Sequence, residues 1–358
     1  MLRLTKPLGA NSFGRCCAID MAIDQPSPPI NEIEADRCLV TNRSDIMATL
    51  AKADHRMLAG DYRAASAFYG AVGRLAEAGA AINRSELLRA RDAALWLDQR
   101  FAAVLHEGLA AAGLSPDNRH PQFQKSLEIM MGQRRRDRVF THFPQLPQSY
   151  FYPDLPQVDF ADNAAGQWRA EVEQQADTIL SEACSLLSEP ANFLPYVQQT
   201  SARPQGDVHG LLDNPDWSTC YLTDRGQPIA ERVARAPVTF QTLNTKVPLC
   251  RIGSRAPSIM FSLLRAHAQI APHTGMINTR FVCHLPLIVP RGCGFRVGEE
   301  TRAWRVGELM VFDDSVEHEA WNNSEQDRLV LIFDVWRPEL SEQERAQITA
   351  LFAVVDAY

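Results

Sequence analysis

The chain has 358 residues, of which 46% are hydrophobic and 22% are charged, and its formal net charge is -7. These proportions are normal for a soluble globular protein with a sizeable core, and the length suggests one large domain or two of ordinary size. The negative charge argues against general affinity for nucleic acid and for anionic membrane surfaces. Residues 134–138 (RRRDR) are a local exception; we interpret them as a solvated helix end, with a docking patch as the alternative.

The cysteine pattern and the hydropathy predict a compartment. None of the eight cysteines has a CxxC spacing, which is typical of reduced thiols in a cytoplasmic protein. No run approaches the roughly 18 apolar residues of a membrane helix, and the N-terminus lacks the apolar core of a secretory signal. We therefore expect a cytoplasmic protein without an integral membrane segment. Met21 is a plausible start besides Met1.

The N-terminal part of the chain predicts a tail followed by helices. Residues 1–42 are rich in Pro, Asn and Asp and are predicted to be a disordered tail. Residues 43–138 have helical apolar spacing and dense alanine. Within them residues 60–69, which include Ala65 and Tyr69, resemble the turn and second helix of a tetratricopeptide repeat. We expect a repeat-like helical region that could hold a partner protein; a plain helical bundle is the alternative.

Residues 139–358 are predicted to form one α+β domain. A crossing segment rich in Pro and aromatic residues comes first, because regular helix cannot persist there, and a helix over 164–187 follows. Short β-branched and aromatic runs then predict strands; they lie at 221–222, 259–264, 280–285, 287–289, 295–297, 309–312 and 329–336. Many short strands of this kind predict an antiparallel jelly-roll sandwich. Ser341 is the predicted N-cap of a closing helix.

Two histidines and one arginine in the strand region indicate a reaction class. His273 lies in the sequence APHTG, His318 in DDSVEHE, and Arg328 follows ten residues later. A non-haem iron needs neutral imidazoles with vacant coordination sites beside them. A dicarboxylate co-substrate needs a guanidinium at its far end, because Arg matches a carboxylate with two charged hydrogen bonds. The pattern therefore predicts a 2-oxoglutarate-dependent oxygenase.

The third protein ligand that such an iron usually has is missing from its expected place. Gly275 stands two residues after His273, where a facial-triad enzyme carries Asp or Glu. Either the iron has two protein ligands, or Asp313 or Asp314 supplies the third.

Two further polar residues lie inside runs that are otherwise apolar. Ser262 and His284 must each find a partner or face a cavity. Both could therefore contact the co-substrate.

A dense set of motifs over residues 255–340 resembles the aspartyl/asparaginyl β-hydroxylase family. The signature reads PHTG, FDDS, HEAW, a single Arg, and DVWRPEL in that order. Upstream, NPDWS at 214–218 and YFYPDLP at 150–156 resemble bacterial members with a tetratricopeptide-like helical N-terminal region.

The resemblance implies a double-stranded β-helix and a site in which each residue has a role. It implies that Fe(II) is bound by His273 and His318, that 2-oxoglutarate is held by Ser262, His284 and Arg328, and that O2 is the second co-substrate. The family lacks the usual carboxylate ligand. The implied reaction is hydroxylation of the β-carbon of an aspartyl or asparaginyl residue in a peptide or protein.

Two positions depart from the pattern of members that act on protein aspartate. Those members are expected to have Lys two residues before Ser262 and Arg two residues before His284, where this chain has Met260 and Val282. Arg280 has the strand parity to face the same cavity. The prime substrate therefore stays open, and the alternative substrates are a lipid acyl chain or a small amino-acid-like metabolite. The alternative functions are a non-catalytic cupin-like binding module or a zinc hydrolase.

Overall fold

The computed structural model describes residues 28–161, 163–164, 166–204 and 210–358. The chain divides into two compact units, Met1–Ala94 and Leu95–Tyr358. The helices are α1 (Glu32–Thr41), α2 (Ile46–Leu58), α3 (Tyr62–Glu77), α4 (Arg84–Ala111), α5 (Pro121–Met130), α6 (Trp168–Glu173), α7 (Ala176–Leu187), α8 (Ala230–Arg235), α9 (Pro237–Lys246) and α10 (Glu342–Ala357).

The strands are short, as the sequence predicts. They are β1 (Leu194–Pro195), β2 (Trp217–Tyr221), β3 (Thr223–Asp224), β4 (Gln227–Pro228), β5 (Met260–Leu264), β6 (Gln269–His273), β7 (Arg280–Ile288), β8 (Cys293–Val297), β9 (Glu300–Arg302), β10 (Met310–Phe312), β11 (His318–Asn322) and β12 (Arg328–Trp336). No helix within the described ranges has the length and apolar character needed to cross a membrane.

Helix α1 lies inside the segment that the sequence assigned to a tail, so the tail prediction is wrong at residues 32–41. The side chain of Asn31 caps the helix by accepting a hydrogen bond from Glu34 N at 2.9 Å. Lys52 Nζ lies 2.9 Å from Glu32 Oε1 and 2.7 Å from Asp36 Oδ1, and it anchors α1 to α2. Polar composition hid this helix, because caps and ion pairs rather than an apolar stripe hold it. Residues 1–27, with Met21 and the first two cysteines, lie outside the described residues.

Helices α2 and α3 form a helix–turn–helix pair in the first unit. Gly60 has a positive φ of 75° at the turn, and Asp61 caps α3 through Ala64 N at 3.2 Å. Tyr69 donates a 2.6 Å hydrogen bond to buried Asp54 across the pair. A helical region is therefore present, whereas its kinship to tetratricopeptide repeats stays a prediction.

The helices of residues 43–138 do not form one unit that ends at residue 138, where the sequence placed the domain boundary. The first unit ends at Ala94, within α4. The rest of α4 and α5 contribute Leu105, Leu109 and Phe123 to a buried cluster that also holds Leu351 of α10. These helices belong with the strand domain because their apolar faces find cover there, which the helical period alone does not reveal.

The strand domain is a jelly roll. Strands β5 to β12 form two facing antiparallel sheets, one in the order β5-β12-β7-β10 and the other in the order β6-β11-β8-β9, and β1 and β2 extend the first. This is the eight-stranded, double-sheet order of a jelly roll. The α+β, jelly-roll prediction is confirmed at this level.

Side-chain alternation along the larger sheet separates its two faces. Odd-numbered residues such as Phe261 and Leu331 lie on the face away from the second sheet. There they form one core with Ile179 of α7 and Leu243 of α9. Even-numbered residues of β5, β7 and β12 point into the space between the sheets, because successive strand residues face opposite sides. The helices therefore cover one face and leave the other to form a cavity.

Candidate active site

A cavity of about 730 Å³ opens between the two sheets. The predicted site residues from both sheets all line it; they are Ser262, His273, His284, His318 and Arg328. Segments that the chain separates by up to 66 residues are thus brought to one place.

His273 and His318 are neighbours because β6 and β11 pair with these two residues opposite each other. Their ring centroids lie 4.2 Å apart. His273 Nδ1 lies 2.8 Å from Ala271 O, and His318 Nδ1 lies 2.9 Å from Val316 O. A carbonyl oxygen can only accept, so each Nδ1 carries the hydrogen and each Nε2 keeps its lone pair. Among the described residues, no group hydrogen-bonds either Nε2.

Burial keeps both imidazoles neutral. It lowers the pKa of His273. It also lowers the pKa of His318 to about 3, with repulsion from His273 acting in the same direction. Neutral imidazoles with a fixed tautomer are the form in which histidine binds a metal.

Asp314 fills the space beside Gly275. A Cβ atom added at residue 275 would overlap the Asp314 carboxylate, and Gly275 N donates to Asp314 O at 2.5 Å. A carboxylate side chain at residue 275 therefore has no room. Asp314 Oδ2 accepts a hydrogen bond from Arg280 Nη2 at 3.3 Å, whereas Asp314 Oδ1 is buried without a hydrogen-bond partner.

Asp313 is committed elsewhere. Its Oδ2 accepts from Gln145 Nε2 at 2.7 Å and from Arg337 Nη1 at 2.8 Å, and its Oδ1 accepts from Ser315 Oγ at 2.5 Å. In the described part of the chain, no three His, Cys, Asp or Glu side chains are grouped so as to hold a metal ion. The two predicted arrangements both stay predictions, and Asp313 has a structural role.

We expect Gly275→Ala to lower the free energy of unfolding by about 1–3 kcal/mol, because the added methyl group must displace the Asp314 carboxylate. Urea denaturation followed by circular dichroism measures this. Asp314→Ala in the same chain should restore most of the loss, since the colliding group is gone. Gly73→Ala, where an added Cβ in α3 meets nothing within 4 Å, is the matched control and should not destabilise. A neutral Gly275→Ala variant would contradict the packing.

Arg328 is a buried cation without a counter-ion. It is 1% exposed, and no carboxylate among the described residues forms an ion pair with it. Its Nη2 reaches Ser262 Oγ at 3.3 Å, its Nε has no hydrogen-bond partner, and its guanidinium stands 4.8 Å from the Trp304 ring centroid. Burial lowers the pKa of Arg328 to about 10, so it is still charged at pH 7. A buried, unpaired guanidinium that lines a cavity calls for an anionic ligand.

Donors surround this cation. Ser262 Oγ accepts from Trp217 Nε1 at 3.2 Å as well as from Arg328, so its own hydrogen is free to donate. His284 Nδ1 and Trp304 Nε1 are both buried without a partner. Burial lowers the pKa of His284 well below its usual value, and the charge of Arg328 adds to this.

The two tryptophans near Arg328 and Ser262, Trp304 and Trp217, were not predicted as site residues. Trp217 lies within NPDWS, yet a lone aromatic residue gives no signal that separates a site from a core. Trp217 stacks on Tyr196 with ring centroids 4.1 Å apart. These contacts shape the wall of the cavity.

The opposite end of the cavity contains Arg280 between two acids. Its Nη1 lies 2.8 Å from Asp334 Oδ2, and its Nη2 lies 3.3 Å from Asp314 Oδ2. Arg280 lines the cavity, as its strand parity predicts, and so do Met260 and Val282.

Comparison with known proteins shows which proteins the strand domain is similar to. Residues 173–338 match the family model for aspartyl/asparaginyl beta-hydroxylase. The human aspartyl/asparaginyl beta-hydroxylase is 38% identical over 142 residues, which are 39% of this chain and 18% of that protein. Human aspartate beta-hydroxylase domain-containing protein 2 is 30% identical over 232 residues, 63% of this chain and 60% of that protein.

A bacterial relative is named for a different activity. The ornithine lipid ester-linked acyl 2-hydroxylase of Rhizobium tropici is 29% identical over 190 residues, 52% of this chain and 63% of that protein. The chain thus spans less than two thirds of the length of each of these three relatives. Residues 173–338 hold all eight jelly-roll strands and every predicted site residue, and over these residues the chain is similar to the aspartyl/asparaginyl β-hydroxylase family.

Proposed function

We propose that the jelly-roll domain is an Fe(II)- and 2-oxoglutarate-dependent dioxygenase that hydroxylates an unactivated C–H bond. The observation that carries the proposal is the buried Arg328, a cation with no carboxylate partner among the described residues, in the same cavity as two neutral imidazoles. An anionic co-substrate and a metal are the two groups that would satisfy this arrangement.

The donor set fits Fe(II). His273 and His318 present two imidazole nitrogens whose lone pairs are free, and their Nδ1–H groups are fixed by backbone carbonyls. Such fixing orients a ligating ring and sets its tautomer. With 2-oxoglutarate, the bound iron would activate dioxygen for C–H hydroxylation, giving succinate and carbon dioxide as co-products.

The protein side chains at the other end fit 2-oxoglutarate. Arg328 would bind the distal carboxylate through its guanidinium fork, and the Ser262 hydroxyl would donate a further hydrogen bond. His284 has a buried Nδ1 without a partner, so a co-substrate oxygen would satisfy it.

Packed aromatic rings beside the histidines would limit the access of water to the reacting carbon. The ring centroids of Phe295 and Phe312 lie 4.7 Å apart, and the His318 ring lies 5.5 Å from that of Phe312. Packed rings at these distances leave little room for solvent beside the histidines. Exclusion of water protects an oxidising centre from side reactions.

The prime substrate that the family implies is the β-carbon of an aspartyl or asparaginyl residue in a peptide or protein, as in the name of the human relative. A second candidate is an acyl chain, as in the name of the Rhizobium tropici relative. Met260 and Val282 favour the second candidate, because apolar side chains stand at positions where aspartate-directed members are expected to carry cations.

Succinate formation tests the proposed function without knowledge of the prime substrate. Purified protein with Fe(II), 2-oxoglutarate and dioxygen should form succinate slowly, and omission of any one of the three should stop it. Replacement of Fe(II) by Zn(II), which has no redox chemistry, should also stop it. Unchanged turnover without dioxygen or with zinc would contradict the proposal.

A further inference from the structure

The cations of the cavity are already committed. Among the described residues, the lining contains two permanently charged bases, Arg280 and Arg328. Arg328 lies at the co-substrate end. Arg280 is held by Asp334 at 2.8 Å and by Asp314 at 3.3 Å, so this cluster of one cation and two acids has a net negative charge when all three are ionised.

Two further acids strengthen this sign. Glu317 and Glu319 line the same cavity. Arg296 binds both, at 2.8 Å and 2.5 Å, and does not itself line the cavity. With Arg328 assigned to the co-substrate, no described arginine or lysine of the lining is therefore left to pair with a carboxylate brought by a substrate.

Between the two charged ends lies an apolar patch on the larger sheet, which consists of Met260, Val282 and Ile332 on the neighbouring strands β5, β7 and β12. Met260 pairs with Ile332 across β5 and β12. Met260 and Val282 stand two residues along their strands from Ser262 and His284, which is about 7 Å at the rise of a strand. All three line the cavity and face its interior.

Further apolar side chains line the cavity besides this patch. Two of them are Ile270 and Leu211. Met276 is 43% exposed and Tyr196 is 39% exposed, and both belong to the same lining. A hydrocarbon chain bound against these side chains would be in apolar contact with them, and burial of its surface would favour binding.

We propose that the prime substrate presents an uncharged hydrocarbon carbon at the apolar patch. This rests on the proposed function and names the substrate class for it. A carboxylate next to the reacting carbon would be buried against Met260 and Val282 and would meet a cluster of negative sign, which costs free energy without a compensating partner. Side chains or acyl chains without charge avoid this cost.

Three capped peptides of the form Gly-Gly-X-Gly-Gly test the proposal, with X as leucine, asparagine or aspartate. These side chains have nearly the same shape and differ in polarity and charge. With Fe(II)-loaded wild-type protein, the leucine peptide should raise succinate formation over the peptide-free rate and gain one oxygen by mass spectrometry. Its stimulation should exceed that of the aspartate peptide by at least about tenfold. N-decanoyl glycinamide, assayed in parallel, distinguishes a long acyl chain from a side chain as the source of the hydrocarbon.

A substitution in the apolar patch tests its role in the selection of the substrate. Val282→Arg would add an unpaired guanidinium and should raise the ratio of aspartate to leucine response by at least about tenfold over wild type. Val282→Leu keeps the patch apolar and is the matched control. Met260→Lys supplies the same test if Val282→Arg does not fold.

Three results in wild type would overturn the proposal: an aspartate response equal to the hydrocarbon response, a response to aspartate alone, or no response to any hydrocarbon probe. Peptide-free succinate formation keeps this outcome separate from the proposed function. If that basal reaction is absent, the proposed function fails; if it is present and hydrocarbons are inert, only the substrate class fails.

Discussion

Loss of either histidine should abolish the Fe(II)-dependent formation of succinate. His273→Ala and His318→Ala each remove one of the two nitrogens available to the metal, and no grouped carboxylate or thiol among the described residues can replace it. Changes to residues that only orient metal ligands typically cost about 10- to 100-fold. Removal of a ligand from a two-ligand site should therefore cost more than about a hundredfold.

Activity and metal content are measured separately. Succinate is quantified by mass spectrometry, and bound iron is determined after anaerobic gel filtration. His106→Ala, a change at an exposed position in α4, is the matched control and should keep both activity and iron. Turnover that persists in His273→Ala would show that the metal assignment is wrong.

Arg328→Met should weaken 2-oxoglutarate binding and at the same time stabilise the free protein. Truncating one partner of a buried, hydrogen-bonded charge pair costs about 2–5 kcal/mol, which at 1.4 kcal/mol per decade predicts at least a roughly thirtyfold rise in the KM for 2-oxoglutarate. Without the co-substrate, the same guanidinium is buried and unpaired. Its replacement by an apolar chain of similar length should therefore raise the free energy of unfolding by about 1–2 kcal/mol.

The opposite signs of the two effects make the second prediction specific. Thermal unfolding is followed with and without 2-oxoglutarate. Wild type should gain stability on addition of the co-substrate, and Arg328→Met should start higher and gain little. Arg265→Met is the control, because Arg265 is an exposed partner of Asp327 at 2.6 Å. A variant that is destabilised in the free form would contradict the assignment of Arg328 as an unsatisfied cation.

The strongest strands were predictable because burial leaves a mark in the sequence. Strands β5, β7 and β12 are buried along almost their whole length and read as apolar runs. The two strands that carry the histidines, β6 and β11, were not predicted. Gln269 is exposed and Glu319 lines the cavity, so polar residues interrupt the apolar pattern on which strand prediction depends.

The helical boundary shows the same limit. Helical periodicity identified the helices of residues 43–138 but not the core that each one joins. Leu109 and Phe123 are buried with Leu351 of α10, more than two hundred residues away in the chain. An apolar stripe predicts that a face will be covered, and only the packed structure decides what covers it.

The sequence by itself identified the two histidines and the arginine as candidate site residues. His273, His318 and Arg328 stand in local motifs whose residue types suit a metal and a carboxylate, and those types do not depend on the fold. Tertiary structure decided the roles of neighbouring acids. Asp313 is bound by Arg337 and Gln145, whereas Asp314 fills the space beside Gly275.

The charge balance of the cavity also belongs to the tertiary structure. The sequence placed Arg280 on the correct strand face, but its pairing with Asp314 and Asp334 arises from β7, the turn after β10 and β12. The absence of any such partner for Arg328 among the described residues is equally a result of packing. Electrostatic pairing is a matter of distance in space, so strand register, rather than spacing along the chain, determines which charges are satisfied and which await a ligand.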